Sequence, residues 1–187
     1  EAEVQLNKAL SKDKSHTEFN KDISDVYEKK RDFPKAIEAY KNYLDEMKSS
    51  PDISDLFLYG RLNYYAATDS AYQDKQPTYL AEADTIFAQV AVKVPDNYLG
   101  NFWRARVNSL RDPETTQGLA KPYYEAALSI LEQKPDATKS VLVECNSYLG
   151  YYYFVKEDYN QSKQYWNKIL EIDPENETAT KALGGIK

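Results

Sequence analysis

The spacing of apolar residues constrains the fold of this chain more than any other feature of its sequence. Apolar residues recur at steps of three and four almost throughout, and no segment keeps a two-residue alternation, so the pattern predicts helices and no strands. In the segment DFPKAIEAYKNYLDEM, Asp32 can cap a helix, and Pro34 lies in its first turn, where a missing N–H costs nothing. Prolines also mark the short polar links between such segments, at Pro51, Pro95, Pro113, Pro135 and Pro174. We therefore expect about ten helices joined by short links, so that consecutive helices pack antiparallel, at roughly 1–11, 16–30, 33–48, 53–67, 78–93, 97–110, 117–133, 137–155, 158–171 and 175–185.

Small residues recur at matching places in these predicted helices. The first helices of four successive pairs carry Ser24, Gly60, Ala105 and Gly150, and the second helices carry Ala36, Ala83, Ala120 and Ser162. A small side chain lets two helices of a hairpin approach closely, and bulky neighbours then fill the space between hairpins. The sequence thus predicts four helical hairpins of one kind.

The fourth hairpin carries the most specific pattern. In SYLGYYYFVKEDYNQSKQYWNKILEIDPEN, Leu149 and Gly150 are followed by Tyr153, then by Ser162 and Trp166, before a closing proline. This order of residues resembles the tetratricopeptide repeat family. The chain departs from the family pattern at the early tryptophan, where Asn20, Leu56, Asn101 and Asn146 stand instead, and at the late tyrosine, which is Asn63 or Asn108 in the middle hairpins. The second hairpin also carries an insertion, TDSAYQDKQPT, between its helices.

The resemblance implies an all-α fold, an α-α superhelix of the tetratricopeptide solenoid type, with about four helical hairpins and flanking helices. We expect one repeat domain over 1–187, with units at about 17–51, 53–95, 98–135 and 143–174. The segment 1–11 reads as the second helix of a partial repeat, which suggests upstream repeats in a longer parent chain, and 175–187 reads as a capping helix. The third unit, with its FWRAR and AKPYYE segments, also resembles repeats of large extracytoplasmic bacterial proteins, so a periplasmic location is expected, with the cytoplasm as the alternative.

Composition and charge exclude several classes of function. The formal net charge is -6, whereas a protein that binds nucleic acid normally presents a basic face. No apolar run approaches the roughly 18 to 20 residues that a membrane-spanning helix needs. The single cysteine, Cys145, rules out an internal disulfide and is expected to be a small buried residue.

Catalytic and metal-binding arrangements find little support. The only histidine, His16, lies in a polar link, and no cluster of histidine and cysteine has metal-ligand spacing. The acidic pairs stand at helix boundaries, where capping explains them. We predict a chain that is not an enzyme and needs no cofactor or metal.

The candidate binding residues lie on the first helix of each hairpin, which lines the concave face of such an array. The small residues give the phase of each helix, and this phase places Phe57 and Phe102 at equivalent positions, as it does Arg61 and Arg106. Arginines among aromatic rings suit a peptide with carboxylates, and both residue types are common interface anchors. The predicted partner-binding set comprises Phe57, Arg61, Tyr64, Tyr65, Phe102, Trp103, Arg106, Tyr148 and Tyr151.

These residues favour a protein-interaction scaffold that binds a protein or peptide segment in its concave groove. The competing interpretation is that the aromatic residues are core and the arginines pair with neighbouring acids. A second function class is glycan capture, because the chain has 17 tyrosines and Tyr72 and Tyr79 lie in the insertion, where rings can stack on sugars. A third alternative is an accessory module of a larger receptor or enzyme.

Overall fold

The computed structural model describes residues 4, 5, 8, 18–47 and 49–186, all of them in helices, turns or irregular links. The chain divides into two compact units, Glu1–Lys93 and Val94–Lys187. Unit 1 contains the helices α1 (Glu18–Lys29), α2 (Phe33–Glu46), α3 (Ile53–Thr68) and α4 (Gln76–Lys93), with a short 3-10 helix at Ser70–Lys75. Unit 2 contains α5 (Leu99–Arg111), α6 (Lys121–Leu131), α7 (Lys139–Val155), α8 (Tyr159–Ile172) and α9 (Glu177–Gly185).

The predicted helices agree with these boundaries to within a few residues, with two informative differences. Helix α4 begins at Gln76 rather than at 78, because Pro77 lies in the first turn, where its missing N–H removes no bond. Helix α6 begins at Lys121 rather than at 117, because the preceding residues form an ordered loop.

The insertion TDSAYQDKQPT of the second hairpin forms the short 3-10 helix and the start of α4. Of the predicted helix 1–11 only Val4, Gln5 and Lys8 are described, with helical backbone; His16 lies outside the described residues.

The same turn joins the two helices of the first and last hairpins. Arg31 and Glu157 adopt left-handed backbone conformations, with φ of 59° and 60°. The next residue, Asp32 or Asp158, then donates its N–H to a carbonyl five residues back, as in a Schellman motif. Each aspartate also caps the following helix by accepting a hydrogen bond from the backbone N–H three residues on. A short Lys-Xaa-Asp-aromatic sequence therefore both ends one helix and starts the next.

The small residues lie where the helices of a hairpin cross. All eight of the predicted small residues are buried. Two of them add a hydrogen bond across the crossing, since the Ser24 hydroxyl donates to the Ala36 carbonyl and the Ser162 hydroxyl donates to the Gly150 carbonyl, both at 2.8 Å. At Gly150 a Cβ would lie 2.7 Å from Cε2 of Trp166, so only glycine allows this ring to pack against α7. The predicted role is confirmed in the first, second and fourth hairpins, whereas Ala120 of the third lies just before its helix, at the N-cap.

Unit 1 contains a buried carboxylate that ties three helices together. Asp55 of α3 accepts hydrogen bonds from Lys21 of α1 at 2.9 Å, from Tyr40 of α2 at 3.2 Å and from Tyr43 at 3.3 Å. Burial alone would raise the pKa of Asp55, but the hydrogen bond and the charge of Lys21 outweigh it, and the pKa is lowered. The aspartate is therefore ionised, and its Oδ1 is partnered by three side chains of the unit.

A second buried carboxylate shapes the loop between α5 and α6. Asp112 accepts hydrogen bonds from the backbone N–H groups of Gln117 and Gly118, at 3.0 and 2.7 Å, and a longer one from Leu119. These bonds lower its pKa, although burial acts in the opposite direction. Gly118 has a φ of 71° and lies so close to the ring of Tyr152 that a side chain at this position would collide with it. The loop is thus held against α7.

Candidate partner-binding surfaces

The predicted residues of unit 1 lie together on α3 and are all partly buried. The Phe57 ring meets the buried Phe87 ring of α4 at a steep angle, with 5.9 Å between ring centroids, so it contributes to the contact between α3 and α4. The guanidinium of Arg61 lies 5.3 Å from the ring centroid of Tyr65, and its Nη2 is 3.7 Å from Oε1 of Glu28. Tyr64 meets Tyr65 edge to face. The arginine is therefore engaged with both an acid and a ring.

Tyr65 also lines an open cavity of about 260 Å³, together with Glu28, Arg31, Phe33 and Thr68. The Phe33 ring packs near two tyrosines, with its centroid 6.3 Å from that of Tyr65 and 6.3 Å from that of Tyr72. Tyr65 was predicted from the sequence as a binding residue, whereas Arg31 and Phe33 were not. Arg31 lies in the turn after α1 and Phe33 is the first residue of α2, whereas all the predicted binding residues lie on the first helices of hairpins.

In unit 2, three of the predicted residues form one closely packed cluster. Phe102 and Trp103 are only 4% and 8% exposed, and the Arg106 guanidinium lies 4.6 Å from the Phe102 ring centroid. Arg106 donates two hydrogen bonds to the Glu144 carboxylate, at 2.7 and 2.5 Å. This arginine thus has the bidentate geometry expected for a ligand carboxylate, but its partner is a side chain of α7.

Glu144 connects this cluster to two tyrosines. The Tyr124 hydroxyl donates to Glu144 at 3.1 Å, and the Tyr124 ring lies against that of Tyr148 with 4.7 Å between centroids. Burial and the Glu144 charge raise the pKa of Tyr124, so its hydroxyl stays protonated and acts as a donor. Arg106, Tyr124 and Tyr148 therefore form an internal network, which agrees with the competing interpretation of core residues and paired arginines.

Tyr151 has a different environment from the other predicted residues. It is 42% exposed and lines an open apolar cavity of about 220 Å³ between α7 and α9. Phe154, 41% exposed, lies one helical turn further along α7, and the cavity is completed by Trp166, Lys181, Ala182, Gly185 and Ile186. We call this surface the α7–α9 pocket. Phe154 and Lys181 were not predicted from the sequence; the three-residue step from Tyr151 to Phe154 was the available signal.

The described residues offer few groups for chemistry. Burial raises the pKa of the Cys145 thiol to about 12, which keeps it protonated and unreactive near neutral pH. Within the ranges described, no three residues of the His, Cys, Asp or Glu types cluster as metal ligands would. None of the helices in the described part of the chain is both long enough and apolar enough to cross a membrane.

Repeated antiparallel helix pairs with small residues at each crossing define an all-α helical-repeat protein. Its fold is more specifically that of the tetratricopeptide repeat proteins, as its likeness to solved structures shows. It is similar to the C-terminal part of a TPR repeat-containing protein from Cytophaga hutchinsonii, with 30% sequence identity and a TM-score of 0.82. The match covers 97% of this chain, which spans 65% of the length of that solved chain.

Two further structures share the fold at lower identity. A thermophilic TPR protein from Thermus thermophilus is 14% identical with a TM-score of 0.57, over 98% of this chain and 88% of that one. The APC/C hetero-tetramer Cut9–Hcn1 is 12% identical with a TM-score of 0.56, over 98% of this chain and 32% of that one. The sequence matches no protein-family model and no curated protein. The predicted family and the all-α repeat fold are confirmed.

Proposed function

We propose that this chain is a non-enzymatic scaffold that binds a protein or peptide segment, and that the α7–α9 pocket anchors the partner. The observation that carries the proposal is the exposure of Tyr151 and Phe154 beside an open apolar cavity. Large aromatic side chains are usually covered, and where they flank a cavity they are the residue types that most often dominate binding energy. The fold supports the same general role, since arrays of this class commonly present partner-binding surfaces.

The pocket limits the chemistry of the partner. Its base is the Trp166 ring together with Ala182 and Ile186, which suits one bulky apolar or aromatic side chain. Among the described residues, the only charged group in its lining is Lys181, whose ammonium is 3.0 Å from Glu177 in a highly exposed pair. Such a surface pair is weak, so the lysine is available to an acidic residue of the partner. We expect a segment with a large apolar residue next to a carboxylate.

The two equivalent arginines, Arg61 and Arg106, are less informative positions for a substitution test of binding. An Arg106→Glu substitution would place two carboxylates together at Glu144 and would destabilise unit 2 whether or not a ligand binds there. A role for Arg61 and Arg106 in a concave groove stays a prediction, as do the roles of Phe57, Tyr64 and Tyr65.

A selection from random peptides displayed on phage tests the proposal with the full chain as bait. Peptides that bind should lose about 2 kcal/mol of affinity, roughly thirtyfold, when Tyr151 and Phe154 are both changed to serine. Val92→Ser is the control, because Val92 is an exposed apolar residue of unit 1 far outside the pocket in sequence. Circular dichroism must show the same helicity for all three proteins. Selected peptides that bind the double variant as tightly as the wild type would overturn the assignment.

Glycan capture is the alternative function, and the cavity beside Tyr65 is the surface that favours it. Rings of Tyr65 and Phe33 stand next to Glu28 and Arg31, a combination of stacking faces and polar groups that suits a sugar. Tyr72 of the insertion is committed to the fold, since its hydroxyl donates to the Arg31 carbonyl at 3.2 Å. A glycan array probed with wild type and with Tyr65→Ser decides this alternative: a hit lost in the variant supports it, and no hit excludes it.

A further inference from the structure

A second cavity in unit 2 has no role in the proposed peptide site. It measures about 440 Å³, which is within the usual range for small-molecule pockets, and it opens to solvent between the ends of α6 and α8 and the start of α7. Lys139, Leu142 and Asn146 line it at positions i, i+3 and i+7, so they share one face of α7. Pro135 and Ile172 contribute apolar walls.

An unpartnered polar atom lies in the wall of this cavity. Asn146 is only 2% exposed, and its side-chain nitrogen donates to the Leu142 carbonyl at 2.8 Å. Its Oδ1 receives no hydrogen bond from any described residue. Leaving a buried acceptor without a donor is costly, so the arrangement calls for an N–H or O–H group from outside the protein. Asn146 stands where the family pattern has its early tryptophan, and the smaller side chain leaves the space open.

The rim of the cavity favours a negative charge on the ligand, near the group that would donate to Asn146. Lys134, Lys139 and Lys168 line it together with Glu132 and Glu171. Lys168 is occupied by Glu132, with 2.9 Å between the charged atoms, whereas Lys134 and Lys139 form no ion pair with a described residue. Lys139 is also the first residue of α7, whose N-cap Thr138 makes no side-chain capping bond, so first-turn amides and the helix dipole add positive potential.

We infer that this cavity binds the carboxylate of an amino acid with an apolar side chain. The carboxylate is held by the side chains of Lys134 and Lys139, and the adjacent N–H donates to Asn146 Oδ1. The side chain lies against Pro135, Leu142 and Ile172. The same chemistry occurs in a free amino acid and in the last residue of a peptide, so the test distinguishes the two. This inference does not depend on the α7–α9 pocket.

Nuclear magnetic resonance titration of the full chain provides the test. The probes are L-leucine, the tripeptide acetyl-Gly-Gly-Leu with a free carboxylate, and the same tripeptide as its amide, each up to about 10 mM, where weak binding is still measurable. We expect a saturable shift of the Asn146 side-chain amide and the Lys139 backbone amide with at least one carboxylate probe. Whichever of leucine and the carboxylate tripeptide binds more tightly shows whether the ligand is a free amino acid or the last residue of a peptide. The tripeptide amide should bind at least about tenfold more weakly than the tripeptide carboxylate.

Three variants separate binding from stability. Asn146→Leu removes the acceptor at nearly constant side-chain size. Lys139→Gln changes an exposed residue and cannot disturb the core. Each variant should bind the carboxylate probe about tenfold more weakly than the wild type. Asn63→Leu is the matched control, because Asn63 is a buried asparagine of unit 1 that also donates to the carbonyl four residues back. If no probe gives a saturable shift, if the amide binds as well as the carboxylate, or if Lys139→Gln has no effect, the inference is wrong.

Discussion

At the scale of single residues, glycine decides how closely the helices of a hairpin approach. Gly60 and Gly150 occupy equivalent positions, and a Cβ on either would lie 2.7 Å from an aromatic carbon, of Phe87 or Trp166. These rings are buried, so they have little room to move aside. Packing against these rings therefore requires a residue without a side chain at both positions. The sequence locates the two positions, whereas the distances come only from the tertiary structure.

Gly150→Ala should therefore destabilise the protein by about 1–3 kcal/mol, because the added methyl forces the Trp166 ring or the helix backbone to shift. Gly184→Ala is the matched control, since Gly184 lies within α9 and a Cβ there meets nothing within 4 Å. This control should be neutral or stabilising by up to about 1 kcal/mol. Urea unfolding followed by circular dichroism measures both. Equal stability of the two variants would contradict the packing argument.

Asp55 supports a second prediction at the residue scale. Asp55→Asn removes the charge that Lys21, Tyr40 and Tyr43 share, and should cost about 2 kcal/mol at neutral pH. Because folding lowers the pKa of Asp55, its contribution is complete above the ordinary carboxyl range and is lost as the pH falls through the folded-state pKa. The difference in unfolding free energy between wild type and variant should therefore shrink toward acid pH. A difference that stays constant between neutral and acid pH would show that the charge is not responsible.

At the scale of elements, the loop from α5 to α6 shows how one side chain can organise a link. Asp112 accepts from three consecutive amides, and Lys156 of the α7 C-terminal end donates to the Thr116 carbonyl at 2.9 Å. From sequence, residues 117–120 are predicted to be the beginning of a helix. The loop forms instead because Asp112 satisfies the same amides that a first helical turn would expose.

Asp112→Ala should loosen this loop and leave the helices in place. The amides of Gln117 and Gly118 lose their acceptor, so their hydrogen exchange should become at least about tenfold faster, which corresponds to roughly 1–3 kcal/mol for unsatisfied groups. Amides in the middle of α3, in unit 1, serve as the internal reference. Unchanged exchange at Gly118 would mean that its left-handed backbone, and not Asp112, holds the loop.

At the scale of the whole molecule, each of the two compact units has a hydrophobic core of its own. Ala36, Tyr40 and Leu62 centre one cluster in unit 1, and Trp166, Ile169, Ala179 and Ile186 centre another in unit 2. Arrays of this class gain stability from each repeat and from its immediate neighbours. The sequence predicts one repeat domain over 1–187, and how far the two units depend on each other to fold tests this prediction.

The fragment 94–187 should fold by itself, and Cys145 reports on this directly. The thiol is fully buried with a pKa raised to about 12, so a thiol reagent such as DTNB should react slowly with the folded fragment and rapidly in denaturant. A protection factor similar to that of the full chain is expected. Rapid labelling without denaturant would indicate that unit 2 requires unit 1 to fold.

The sequence by itself determined the helical fold, the family, and the places where helices cross. These features follow from local periodicity, capping residues and the size of side chains at repeating positions, all of which a single chain displays in order. Only the tertiary structure decided which predicted binding residues face solvent. Arg106 meets Glu144 and Phe102 is buried, whereas Tyr151 borders a pocket, although all three lie on the predicted inner stripe. Exposure depends on the neighbours that other helices bring, and those neighbours are distant in sequence.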